Sequence, residues 1–167
     1  MRLALAAFAL VAASVPALAE GPSAPTTVPV ASPSAEGMVG PALYVSDHER
    51  SLKFYTEGLG MTLRMRFGPK DKPDMVVGFG ANPLDAGIML LTDKEAPAPR
   101  AITHGHGFDR IALRVADLRT INARLQAAGF APSEIQVVHG AIQMMIVTDP
   151  DGYRIGLIDS KPAPRPQ

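Results

Sequence analysis

The strongest constraint on the fold is that the chain contains itself twice. Pro41-Ala-Leu-Tyr-Val-Ser-Asp47 returns seventy residues later as Ile111-Ala-Leu-Arg-Val-Ala-Asp117, with Ala42, Leu43, Val45 and Asp47 matched by Ala112, Leu113, Val115 and Asp117. A repeat of this length means two copies of one supersecondary unit that share a core. Each copy opens with a short strand and an Asp suited to cap a helix. Leu52, Tyr55 and Leu59 then form an apolar helical stripe in the first copy, and Ile121, Leu125 and Ala128 form one in the second. Glycines end both helices, at Gly58-Leu-Gly60 and at Gly129.

Three strand-like runs follow each helix. They lie near Met61–Phe67, Asp74–Phe79 and Gly87–Thr92, then near Ile135–His139, Ala141–Thr148 and Tyr153–Asp159. Turn residues separate them, most clearly Asp149-Pro-Asp-Gly152. The expected fold is α+β: two βαβββ modules, with curved mixed sheets around a cleft and the helices outside. The first module spans about 38–94 and the second about 104–160, joined by a Pro-rich segment.

The flanks read differently. Residues 1–19 carry Arg2, the apolar run Leu3 to Ala13 and a small-residue Ala17-Leu-Ala19 site, the pattern of a secretory signal peptide. Cleavage near Ala19 would make the protein periplasmic or secreted. Residues 20–37, rich in Pro, Ser and Ala, and 161–167 bury too little apolar surface to fold, and are expected to be a disordered tether and tail. The apolar run is short for a bilayer span, so no stable membrane anchor is expected.

Lys plus Arg equals Asp plus Glu at 16 each, which leaves no global field to attract nucleic acid. With no cysteine, the chain has no disulfides, zinc-thiolate sites or thiol nucleophiles.

Tyr44-Val-Ser-Asp-His-Glu-Arg-Ser-Leu-Lys-Phe-Tyr-Thr-Glu-Gly-Leu-Gly-Met61 resembles the first strand and helix of the vicinal oxygen chelate superfamily. Asp149-Pro-Asp-Gly-Tyr-Arg-Ile-Gly-Leu-Ile158 resembles its closing turn and strand. That group includes glyoxalase I, bleomycin-resistance proteins and extradiol dioxygenases. The resemblance implies that metal-dependent members draw one His, Gln or Glu ligand from the first and last strand of each module. Carried onto this chain, the first-strand positions fall on Gly40 and Arg110. The last-strand positions fall on Leu90, with Met89 one residue away, and Gly156. None of these side chains is a ligand for a divalent cation. A glyoxalase-type Glu base is also missing at Gly156.

Strand alternation turns Tyr44, Arg110, Arg114 and Arg154 toward the cleft. Guanidinium forks suit carboxylate or phosphate, and Tyr44 can stack. The plainer alternative pairs these arginines with Asp109, Asp151 or Asp159. His104-Gly-His106 offers two donors on one side of an extended chain, to which His48 or His139 would add a third; exposed loop histidines are the commoner reading. Asp149 and Asp151 read as turn residues and Phe54 and Tyr55 as core.

The expected function is metal-independent binding of a small, partly apolar molecule, anionic or not, by a monomer or homodimer with no resident cofactor. One alternative is a glyoxalase-like lyase or dioxygenase with a displaced divalent-metal site. The other is an interaction module whose cleft is filled.

Overall fold

The computed structural model describes residues 37–95, 100–140 and 142–159. The segments expected to be a signal peptide and a tail, and most of the expected tether, lie outside the described residues. Among the described residues no helix is long and apolar enough to cross a membrane.

The doubled pattern folds as two four-stranded sheets. In module one, β1 (Ala42–Tyr44) is followed by α1 (His48–Lys53), a π-helical turn (Phe54–Gly58), β2 (Thr62–Phe67), β3 (Asp74–Gly78) and β4 (Ile88–Leu91). Module two repeats this with β5 (Ile111–Val115), α2 (Leu118–Ala127), β6 (Gln136–Val138), β7 (Ile142–Thr148) and β8 (Arg154–Asp159). The strand orders are β1-β4-β3-β2 and β5-β8-β7-β6. In both sheets the first strand pairs parallel with the last, and the other pairings are antiparallel. The fold is α+β, with the repeat preserved in its topology.

Both helices start where the Asp predicts. Asp47 accepts from the Arg50 N–H at 3.0 Å, and Asp117 accepts from Arg119 at 2.8 Å and Thr120 at 3.4 Å. These bonds satisfy backbone donors left orphaned at a helix start. The first helix then departs from the expected regular stripe. The wider π-helical turn buries Phe54, Tyr55 and Leu59 completely, while Leu52 is only half-buried. Phe54 meets Phe130 edge to face at 4.9 Å, and Arg124 on α2 donates to the Glu57 carbonyl at 3.1 Å. Gly58 lets α2 approach, because a Cβ there would lie 2.9 Å from Leu125 Cδ2.

The core is a single cluster that crosses the repeat. Leu43, Met75, Val77 and Leu90 bury the inner face of the first sheet, and Ile111, Met145, Ile155 and Leu157 that of the second. Each fully buried side chain of this kind contributes about 1.5–3 kcal/mol. The opposite face of each sheet stays largely open, and the candidate residues lie there.

Candidate functional site

On module two the open face is basic. Alternation places Arg110, Ala112 and Arg114 outward from β5, while Ile111 and Val115 are buried. Arg154, on β8, is exposed beside them. Arg110 Nε and Arg154 Nη1 both donate to Asp109, Arg154 at 2.7 Å, so one carboxylate serves two guanidinium groups. The Arg110 guanidinium holds the exposed Asp109 carboxyl below the ordinary carboxylate range. Arg114 is exposed, and no side chain among the described residues pairs with it. Three guanidinium groups against one carboxylate leave this face net positive.

On module one the open face is apolar. A cavity of about 270 Å³ is walled by Val39, Met65, Phe67, Val76, Pro83 and Met89, with Arg64 and Asp85 at its edge. Met65 and Phe67 reach it through a register shift in β2 between Leu63 and Met65. Tyr44 is 53% exposed and lines a separate, more polar recess of about 280 Å³ with Leu91, Thr92 and Lys94. A third cavity, about 180 Å³, draws on both modules, with Gly40, Met61 and Ile88 facing Ile111, Ala112 and Leu113. The arginines line none of these three spaces. The structure thus brings Arg110 and Arg154 together and leaves Tyr44 on the other module's sheet.

The two turn aspartates are structural, and their role exceeds that of a turn. Asp149 is buried and accepts from the Asp151 N–H at 3.0 Å, the Tyr153 N–H at 2.8 Å and the Tyr55 hydroxyl at 2.9 Å. Asp151 accepts from the Ser46 N–H and hydroxyl, and from the Ser51 hydroxyl at 3.2 Å. Module two's closing turn is therefore bolted to the first helix of module one. Burial pushes the Asp149 carboxyl up, and burial plus the adjacent Asp149 carboxylate push the Tyr55 hydroxyl well above the ordinary tyrosine range. Tyr153 completes the joint by donating to the Tyr44 carbonyl at 3.2 Å.

His104 belongs to this joint. Its Nε2 lies 2.8 Å from the Asp151 carbonyl oxygen, and its ring stands edge-on to Tyr153. Gly152 leaves room for the ring. Among the described residues, no three His, Cys, Asp or Glu side chains gather in a metal-holding group, so His104 and His106 are not joined by His48 or His139.

Comparison with known proteins decides the family. The profile of the glyoxalase/bleomycin resistance protein/dioxygenase superfamily matches residues 37–157. The chain belongs to this superfamily. It is 35% identical to a lactoylglutathione lyase of Salmonella typhimurium over 127 residues, covering 74% of this chain and 92% of that one. Against a lactoylglutathione lyase of Arabidopsis thaliana, 32% identical, it spans only 44% of the relative's length. Among solved structures it resembles glyoxalase I of Leishmania major, with a TM-score of 0.61, 25% identity, and coverage of 75% of this chain and 87% of that one.

Metal-dependent members of the superfamily raise the question of whether a divalent cation fits here. One registration needs correcting first. Leu90 pairs with Leu43 as Leu157 pairs with Leu113, and both are fully buried, so Leu90 corresponds to Leu157. Met89, opposite Ala42, is the equivalent of Gly156, opposite Ala112. The corrected set is Gly40, Met89, Arg110 and Gly156, which offers one thioether and no oxygen or imidazole. Hard and borderline cations prefer the latter donors.

The surroundings have closed around these residues. Gly40 has φ +127°, and a Cβ there would collide with the Gly87 carbonyl, whose N–H is bonded to Val39 O at 2.8 Å. The Arg110 stem lies over Gly156, so that a Cβ at Gly156 would sit 3.0 Å from Arg110 Cδ. The residues present do not fit the superfamily's metal.

Proposed function

We propose that this superfamily member is an exported binding protein for a small amphipathic acid, held without a metal. The apolar part of the ligand occupies the module-one cavity, its acidic group engages Arg110, Arg114 and Arg154 on module two, and Tyr44 stands in the separate recess on the module-one sheet. The protein acts as a monomer or homodimer outside the cytoplasm. The observation that carries this reading is the cavity of about 270 Å³ with Met89 in its wall, at a position where a metal ligand is expected. An apolar cavity of about 150 Å³ holds benzene, so this one suits a group of one to two rings.

Two dyes test the reading. Phenylnaphthylamine is uncharged, and anilinonaphthalene sulfonate adds an anion to the same body. Both are expected to bind, the sulfonate more tightly, and Arg110→Ala with Arg114→Ala should remove that excess. Failure of both dyes to bind, or an unchanged excess in the double variant, refutes it.

The relatives support a second reading. Lactoylglutathione lyases covered over nine-tenths of their length favour a glyoxalase-like lyase that uses a displaced site. Turnover of the methylglyoxal–glutathione hemithioacetal above background, with nickel, cobalt, zinc or manganese added, would establish it. Absence of turnover with all four would dismiss it.

A further inference from the structure

Arg64 stands where β2 shifts register, on the edge of the module-one cavity. Its guanidinium reaches across to the β3–β4 connection and is spent on backbone carbonyls there. Nε donates to Gly80 at 3.3 Å, Nη1 to Asp85 at 2.6 Å and Ala86 at 3.3 Å, and Nη2 to Phe79. The bonds are made at both ends of residues 79–86, so one side chain closes the loop on itself. Gly78 makes room for it, because a Cβ there would clash with the guanidinium. The same loop supplies Pro83 and Asp85 to the cavity.

We infer that Arg64 is the positioning residue of this cavity, fixing the β3–β4 loop as its wall, and that it makes the cavity selective for uncharged apolar groups. The inference rests on the binding reading above. A guanidinium has five N–H donors, and here it makes four hydrogen bonds to carbonyls. The arginine therefore has few donors left for a carboxylate, and its positive charge is offset by Asp85, which lines the same cavity. Acidic groups must bind elsewhere, and on module two Arg114 is exposed with no side-chain partner among the described residues, beside Arg110 and Arg154, which share one carboxylate. Lysine is no substitute, because an ammonium cannot span both ends of the loop as the planar fork does.

The test combines hydrogen exchange with the two dyes, on the full chain carrying Arg64→Lys or Arg64→Gln. Amides of residues 79–87 should exchange roughly tenfold faster in both variants, as expected from losing charge-assisted hydrogen bonds, while β7 and β8 keep their protection. Both dyes should weaken by a similar factor, leaving their affinity ratio unchanged. A selective loss of the sulfonate dye would show that Arg64 contacts the anion, and would overturn the inference. So would an unchanged loop, or a loosened loop with undiminished binding. If the unmodified protein binds neither dye, the binding reading falls and takes the selectivity with it. The exchange of the loop still reports on the arginine pin in that case.

Discussion

Removing one hydroxyl from the joint between the modules tests how it is held. Tyr55 is fully buried, and its hydroxyl donates to Asp149 at 2.9 Å across 94 positions of sequence. Tyr55→Phe keeps the ring and its edge contact with Phe54, at 5.0 Å, so core volume barely changes. What is lost is a buried hydrogen bond to a carboxylate, worth about 2 kcal/mol. For a domain of this size that is a fall of roughly 6–12 °C in Tm.

The pH dependence supplies a second check. Burial raises the folded pKa of Asp149, and the Tyr55 bond opposes that rise. A carboxyl raised in the folded state stabilises fully below its unfolded pKa of about 3.9, and that stability is lost as pH rises through the folded value. Without Tyr55 the folded value rises further, so more stability is lost on ionisation. The cost of Tyr55→Phe should therefore be largest at about pH 7 and shrink toward about pH 4, as falling pH protonates Asp149 and leaves only a neutral hydrogen bond missing. Urea unfolding at the two pH values measures it, and pairing the change with Asp149→Asn in a double-mutant cycle isolates the coupling. A cost within about 0.5 kcal/mol of zero at neutral pH, or a larger cost in acid, refutes the reasoning.

Three further outcomes are expected. Gly40→Ala should destabilise by about 3 kcal/mol or more in urea unfolding, because it combines a disfavoured φ with a collision against the Gly87 carbonyl. Asp109→Asn should tighten binding of anilinonaphthalene sulfonate by about threefold, since it frees Arg110 and Arg154 at an exposed site where charge pairs are weak; titration by fluorescence checks it. Intact mass of protein recovered from the periplasm or medium of a Gram-negative host should correspond to a chain that begins at Glu20, as cleavage after Ala19 requires.

The topology was legible because the repeat states it twice, and the strands and caps fall close to where periodicity puts them. The open face of module two was legible for the same reason: β5 alternates cleanly, so Arg110 and Arg114 point outward as parity requires. Module one defeats parity at the point that matters most. Leu63, Met65 and Phe67 alternate in sequence as one face, yet the shift beside Arg64 pairs Leu63 with Val77 on the core side and Met65 with Val76 on the open side. A bulge of this kind leaves no hydrophobic signature, so neither the apolar cavity nor the arginine at its edge was visible. The one-residue error at Leu90 has a related origin. Ile88, Met89, Leu90 and Leu91 are all apolar, and only ladder pairing distinguishes the buried from the open positions.

The two modules share a topology and diverge in the connection before their last strand. In module two this connection is the tight Asp149–Gly152 turn, whose carboxylates reach away from the sheet to seize Ser46, Ser51 and Tyr55. In module one it is longer, and Arg64 ties it back over its own sheet. A short acidic turn gives stiffness between modules, because its bonds cross from one to the other. A longer loop held by a single side chain gives a shaped wall beside a cavity, and its shape depends on few bonds. Sequence changes that alter which apolar group fits should therefore be tolerated at Pro83 and Asp85, which line the cavity, and at the exposed Leu84 between them. Changes at Asp149 or Asp151 should cost stability before they touch binding. Screening substitutions at these two sets for dye affinity and for Tm separately should place the first set on the affinity axis and the second on the Tm axis. A loop whose substitutions moved only Tm would mean that the loop does not shape the cavity.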